Sequence, residues 1–174
     1  MASYPVIDRL AARLDEAGLL IGRISRPTRI EEFERLLQRR LPKSFRHFVT
    51  NHAFRPFEWG PVSFFGNSET YDLFGLHIAP MRDDALWQTT RAAGLVYFGR
   101  PEPANYDPIC FASSTGDREP PIVQLDHEAI LIDGRIKVIR EIAPSFLALA
   151  EHLTTDGSSP VAIEEWSEEW LTDG

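Results

Sequence analysis

The first third of the chain carries apolar residues at helical spacing. After Pro5, apolar side chains recur on one face until Gly18, which predicts a helix between these two residues. A second helix is predicted from Thr28, because Thr28 and Glu31 form a capping-box pattern. Pro42 interrupts this helix and is expected to open a third one.

After Pro56 the pattern changes to short runs that are rich in β-branched and aromatic residues. Such runs predict β-strands, and the connections between them are too short for parallel crossovers. The sheet is therefore expected to be mostly antiparallel. An Asp133-Gly134 pair predicts a tight hairpin between the last two runs. The runs are EWGPVSFFGN, YDLFGLHIA, GLVYFGR, DPICFAS, PPIVQLD, AILID and RIKVIRE.

Two more helices are predicted around these strands. Residues 83–93 form a short helical pattern that Asp83 or Asp84 can cap, and APSFLALAEHL forms a closing helix. Helices first, a sheet next and a packing helix last predict an α+β domain. We expect its helices to be segregated to one face or end of the sheet.

The last part of the chain differs in composition. Residues 154–160 read as a linker, so we expect one domain over residues 1–153 and an acidic tail over residues 154–174. The tail is predicted to form one more short helix from Val161. Three of its apolar side chains share one face: Ile163, Trp166 and Trp170.

Composition narrows the class of protein. The 174 residues are 43% hydrophobic, which fits one globular domain with a sizeable core. The single cysteine, Cys110, rules out an internal disulfide or a multi-cysteine zinc site, and its apolar neighbours predict an inert, buried thiol. No secretory signal and no apolar run of ~18 residues is present, so a cytoplasmic protein is expected.

The net charge of −8 is unevenly distributed. Residues 1–55 carry eleven Lys and Arg against six Asp and Glu, whereas residues 151–174 carry seven acids and no Lys or Arg. The acidic segment could recruit a basic partner or fold back onto the arginine-rich N-terminal helices. Direct nucleic-acid binding is not favoured, because glutamates interrupt the arginines and the pI is about 5.1.

Asp126, His127 and Glu128 are consecutive residues that can each bind a metal or move a proton. Strand alternation would place Asp126 and Glu128 on one face and His127 on the other, so the three are not expected to converge. The chain also lacks the H-E-x-x-H, G-x-S-x-G and G-x-G-x-x-G patterns. We therefore expect no catalytic residue, metal or cofactor, and we expect Asp126–Glu128 to cap or cross-link the strand end.

Four segments resemble the SUKH superfamily, the SMI/KNR family, over residues 30–153. IEEFERLLQRRLPKSFRHFV is similar to the family's opening helices, and GPVSFFG is similar to its first strand. DPICFASSTGDREPPIVQLDHE and IAPSFLALAEHL resemble its strand–loop–strand segment and closing helix. The chain departs from the pattern at TNHAFRP, where the family commonly has a Gly or Asn-Gly pair, and at Leu125, where it often has Trp.

The resemblance implies a non-enzymatic protein-binding domain. Many bacterial members are immunity proteins that neutralise a cognate toxin, so a basic toxin domain such as a nuclease is the expected partner. Acidic and aromatic groups would then occupy the toxin's substrate groove. A regulatory scaffold is the alternative, and a small metal-dependent hydrolase is less favoured. The proposed interface residues are Asp117, Glu119, Asp126, Glu128, Glu165, Trp166, Glu169 and Trp170.

Overall fold

A computed structural model describes residues 2–22, 28–67, 76, 84–113 and 118–164 of the chain. These ranges contain helices and a large antiparallel sheet, which confirms the expected α+β class. None of the helices in these ranges combines the length and the apolar character that crossing a membrane requires.

The helices are numbered in chain order. They are α1 (Pro5–Glu16), α2 (Thr28–Leu37), α3 (Lys43–Asn51), α4 (Ala85–Ala92), α5 (His127–Asp133) and α6 (Phe146–Thr155). The strands are β1 (Leu20–Gly22), β2 (Ala53–Phe54), β3 (Phe57–Trp59), β4 (Val62–Phe64), β5 (Val96–Arg100), β6 (Ile109–Phe111), β7 (Ile122–Leu125), β8 (Val138–Ala143) and β9 (Val161–Ala162).

Local signals fix the helix ends. Gly18 has a φ of +72° just after α1, a conformation that glycine adopts without steric cost, and Pro42 is the N-cap of α3. The Asp84 carboxylate accepts the Trp87 N–H at the start of α4, and the Ser145 hydroxyl accepts the Ala148 N–H at the start of α6. The boundaries at Gly18, Pro42 and Asp84 were predicted from the sequence pattern.

Seven strands form one sheet in the order β8-β7-β6-β5-β4-β3-β9, and every neighbouring pair is antiparallel. The two remaining strands, β1 and β2, form a separate antiparallel pair. The mostly antiparallel sheet is therefore confirmed. Strands β8 and β9 lie at the two edges of the large sheet.

The core is aromatic and has two sides. Phe45 of α3 packs on Phe98 with ring centroids 5.3 Å apart, whereas Trp87 of α4 packs on Tyr97 at 5.0 Å. Successive strand residues point to opposite faces, so α3 and α4 cover opposite sides of β5. The helices are therefore not confined to one face of the sheet, and the expected α+β class holds. Helix α6 joins α3 through Phe146, whose ring centroid is 5.2 Å from that of Phe45.

The run AILID is a helix rather than the predicted strand. Residues His127–Asp133 form α5, and Gly134 ends it with a φ of +60°. The N–H of Gly134 donates to the carbonyl of Ile130, and the N–H of Arg135 donates to that of Ala129. The Asp133-Gly134 pair therefore terminates a helix and does not turn a hairpin. The pair alone does not distinguish the two structures, because both need a residue at positive φ.

The chain beyond residue 153 still packs on the domain. Val161–Ala162 pairs with β3 as strand β9, so the helix predicted from Val161 does not begin there. Trp59 Nε1 donates to the Ser158 hydroxyl at 2.9 Å, and Arg13 donates to the Ser158 carbonyl at 2.6 Å. These contacts attach residues 158–162 to the sheet and to α1.

Part of the acidic C-terminal region contacts N-terminal arginines. Arg9 of α1 pairs with Glu151 of α6, and Arg55 lies 3.9 Å from Glu164. Both contacts agree with the interpretation that this region folds back on its own chain. Asp156 accepts the Ser158 N–H at 2.8 Å, and the other four acids of the tail lie in residues 165–174, outside the described residues.

Candidate functional site

Asp126 begins helix α5 at the end of strand β7. Its Oδ1 accepts the backbone N–H groups of Glu128 at 3.0 Å and Ala129 at 3.3 Å, as an N-cap does. Its Oδ2 accepts Lys137 Nζ at 3.0 Å. The Lys137 contact and the backbone donors hold the pKa of Asp126 below its ordinary value, because they stabilise the carboxylate.

His127 is held by a buried carboxylate that sequence reasoning missed. His127 Nδ1 lies 2.6 Å from Asp107 Oδ1, and the His127 backbone N–H donates to the same oxygen at 3.1 Å. Gln124 Nε2 donates to Asp107 Oδ2 at 2.8 Å. Asp107 therefore joins the end of β7 to the start of α5 through three hydrogen bonds.

Asp107, Asp126 and His127 bring ligand atoms within 4.8 Å of one another, which is close enough to hold a metal ion. Strand alternation does not separate Asp126 from His127, because the strand ends and a helix begins at this point, and Glu128 is not part of the cluster. Lys137 already supplies a positive charge to Asp126, and Asp107 Oδ1 is taken by His127. These contacts account for the cluster as a helix cap and cross-link, which is the role expected from the sequence.

Glu128 lies outside this network. It is exposed in the first turn of α5, where a negative charge favours the positive end of the helix dipole. Of the two acids proposed here, Asp126 is engaged within the fold and Glu128 faces solvent.

The same corner exposes large apolar side chains. We define the edge patch as Leu131 and Ile132 of α5 together with Val138 and Ile139 of β8. Their exposed fractions are 56%, 77%, 53% and 49%. Seven large hydrophobic residues are exposed in the described part of the chain, and these four fall within nine positions. This closeness in the chain distinguishes the edge patch from the other three exposed residues and makes it a candidate interaction site.

The edge patch also contains an unpaired sheet edge. β8 hydrogen-bonds to β7 on one side only, and among the described strands none covers its other side. Its first four residues are exposed. An exposed apolar edge strand offers backbone donors and acceptors to another chain.

Charges around the edge patch are balanced. Three exposed acids and three exposed bases lie on and beside α5 and β8. They are Glu128, Asp133, Arg135, Lys137, Arg140 and Glu141. An acidic surface that mimics phosphates is therefore not a property of this corner.

Glu119 lies at a different place, beside the start of α3. It is half-buried, and its Oε1 accepts the Ser44 backbone N–H at 2.8 Å. This carboxylate therefore caps α3 from a distant part of the chain, next to a cleft of about 430 Å³. Five cationic side chains line the cleft: Arg39, Arg40, Lys43, Arg46 and Arg118.

Five of the proposed interface residues cannot be placed. Asp117 and the tail residues lie outside the described residues, so their roles stay predictions. The tail residues are Glu165, Trp166, Glu169 and Trp170.

Two signals in the sequence pointed to features that were missed. Asp126 and Gly134 stand eight positions apart, and a capping Asp followed by a terminating Gly brackets a two-turn helix. If AILID had been predicted as that helix, Leu131 and Ile132 would have been expected at the surface. No local signal identifies Asp107 as the partner of His127, because that contact spans 20 positions.

No family model matches this chain. No curated protein matches it at a significant level either. The SUKH resemblance therefore stays a prediction, supported by its motifs.

Proposed function

We propose that this protein is a non-enzymatic binding domain that neutralises a cognate bacterial toxin. The observation that carries the proposal is the edge patch, because a cluster of exposed apolar side chains beside an open strand suits a protein partner. The resemblance to SUKH immunity proteins supplies the class of partner. Under this proposal the protein acts in the cytoplasm, where the toxin would otherwise reach its substrate.

Binding would combine two kinds of contact. The partner covers Leu131, Ile132, Val138 and Ile139, which removes apolar surface from water. A segment of the partner adds to β8 through backbone hydrogen bonds, which fixes its direction and register. Glu128 lies at the rim, where its charge affects the encounter rate more than the affinity.

The acidic tail is a second part of the proposal. Residues Glu165, Trp166, Glu169 and Trp170 would add phosphate-like charge and aromatic anchors against a basic toxin groove. Truncation separates the two surfaces. A chain that ends at residue 164 keeps β8, β9 and the edge patch, and it lacks only residues 165–174.

The experiment co-expresses this protein with the toxin candidate encoded by the adjacent gene and measures both survival and pull-down. We expect the full chain to protect cells and to retain the toxin domain. The chain ending at residue 164 should still bind, because the edge patch is intact. Loss of binding on this truncation would show that the interface lies in residues 165–174.

The alternatives predict different outcomes. A regulatory scaffold would bind host proteins and would give no protection against the adjacent gene product. A metal-dependent hydrolase would show turnover that requires added Zn²⁺ or Mn²⁺ and that is lost in Asp107→Asn. Either pattern would contradict the proposed function.

A further inference from the structure

A basic cleft lies at the start of α3, on a protein whose net charge is −8. We define the basic cleft by its five cationic lining residues, which are Arg39, Arg40, Lys43, Arg46 and Arg118. It lies beside Phe111 and Pro120, near the start of β7, whereas α5 follows the other end of that strand. The basic cleft and the edge patch therefore share no residue.

The cations exceed the nearby carboxylates. Glu119 is the one acid among the described lining residues, and Glu34 neutralises Arg46 through a contact of 2.9 Å. The described lining therefore carries more cationic side chains than carboxylates. Positive charges held close together repel one another, and a bound anion removes that repulsion.

Two arginines of the basic cleft are held by hydrogen bonds to the fold, and two others can bind a ligand. Arg39 donates through Nη1 to the carbonyl of Gly94, and Arg46 donates through Nε to Glu34. Arg40 and Arg118 are exposed and make no hydrogen bond or ion pair with the described residues. Guanidinium groups of this kind can bind a planar or tetrahedral oxyanion through paired hydrogen bonds.

The basic cleft also has an apolar floor. Leu41, Val96 and Phe111 contribute to its lining and are buried. A volume of about 430 Å³ lies in the range of small-molecule sites. We propose that the basic cleft binds a small organic phosphate with two or more negative charges, of the size of a nucleoside diphosphate.

Charge favours phosphate over a simple carboxylate. A carboxylate carries one negative charge and would leave most of the excess uncompensated, whereas a phosphate monoester carries about −1.5 to −2 at neutral pH. A diphosphate carries more negative charge than either and suits a lining with five cationic side chains best. The donor end of α3 is not the basis of this assignment, because Glu119 already accepts the Ser44 N–H.

The test is calorimetric titration of the full chain with ADP, pyrophosphate, adenosine and citrate at low salt. ADP and pyrophosphate should bind, and adenosine should not, because the phosphates supply the recognised charge. Citrate is a polycarboxylate of comparable charge and should bind at least about tenfold more weakly than ADP. Equal affinity for citrate, or no ADP binding at millimolar concentration, would overturn the assignment.

Variants locate the site. Arg40→Ala combined with Arg118→Ala should weaken ADP binding about tenfold or more, because two exposed guanidinium groups are lost. The control combines Arg135→Ala with Arg140→Ala, which removes the same charge at two exposed positions outside the basic cleft. This control should bind ADP as the unmodified chain does. Equal losses in the two double variants would show unspecific attraction and would contradict the proposal.

A variant that should tighten ADP binding, rather than weaken it, completes the test. Glu119→Gln removes the one carboxylate in the described lining and should tighten ADP binding about fivefold, the effect of one nearby charge in a water-like medium. The amide oxygen can still accept the Ser44 N–H, so α3 keeps its cap. Weaker ADP binding in this variant, with an unchanged melting temperature, would contradict the charge argument.

Discussion

At the scale of single residues, the corner after β7 shows how one side chain can serve two elements. Asp126 caps α5 through its Oδ1 and holds Lys137, which precedes β8, through its Oδ2. It therefore joins the helix to the strand that follows it. Its neighbour Glu128 makes no comparable contact with the described residues, although both acids were proposed for the same surface.

Replacing Asp126 should destabilise the fold, whereas replacing Glu128 should not. Asp126→Ala removes the helix cap and the Lys137 contact, so the melting temperature should fall by about 2–4 °C. Glu128→Ala changes an exposed residue and should shift it by about 1 °C or less. Thermal unfolding followed by circular dichroism measures both. A larger fall in Glu128→Ala would contradict the assigned roles.

The effect of Asp126 should depend on pH. Its pKa is lower in the folded chain than in the unfolded chain, so the carboxylate stabilises the fold above the unfolded pKa of about 4. This contribution is lost as the pH falls through the folded pKa. The difference in melting temperature between the unmodified chain and Asp126→Ala should therefore shrink below pH 4. A difference that grows in acid would contradict the assigned sign.

Cys110 should be unreactive while the protein is folded. It is fully buried, and burial raises the pKa of its thiol well above the ordinary value. A thiol reagent such as Ellman's reagent should label it only after unfolding in urea. Rapid labelling in native buffer would show that β6 opens or that the thiol is accessible.

At the scale of elements, the sequence predicted those helices and strands whose boundaries carry local signals. Helix α1 follows Pro5 and ends before Gly18, and α4 is capped by Asp84 as expected. AILID was misread because a short apolar run fits a strand and a two-turn helix equally well. The cap that decides between them is Asp126, which lies outside the run itself.

The edge strand β9 could not be predicted, because only two residues form it. Its neighbour β3 supplies the pairing, with Phe57 opposite Ala162 and Glu58 opposite Val161. A contact between positions so far apart leaves no trace in local periodicity.

Removing β9 should lower stability more than removing residues 165–174 alone does. A chain that ends at residue 160 loses the pairing with β3 and the contact between Arg55 and Glu164. It should unfold at a lower urea concentration than the chain that ends at residue 164. Chemical denaturation followed by tryptophan fluorescence compares the two. Identical midpoints would show that β9 adds nothing to the fold.

At the scale of the whole molecule, the fold places two different surfaces at opposite ends of β7. The edge patch is apolar with balanced charge, and the basic cleft is positive within a chain of net charge −8. Glutamates interrupt the arginines along the N-terminal sequence, so their spacing did not indicate a basic surface. Arg118 joins Arg39, Arg40 and Arg46 only in the folded chain, so sequence spacing could not reveal the cleft.

The sequence indicated the acidic residues of the candidate site, but it did not indicate the exposed apolar residues beside them. The sequence identified Asp126 and Glu128 as residues of interest, and the resemblance assigned them to a partner-facing segment. The apolar residues Leu131, Ile132, Val138 and Ile139 were assigned to strands, where alternate positions are buried. Their exposure depends on α5 being a helix and on β8 being an edge strand, which are tertiary facts.

The most direct test of the central claim compares the affinity of two single variants for the adjacent gene product. Ile132→Glu places a charge in the edge patch, and Val161→Glu places the same charge on the opposite edge strand. Both residues are exposed, at 77% and 64%, so both variants should remain folded. We predict that Ile132→Glu weakens binding at least about tenfold while Val161→Glu leaves it unchanged. Equal affinity of Ile132→Glu and the unmodified chain would contradict the account.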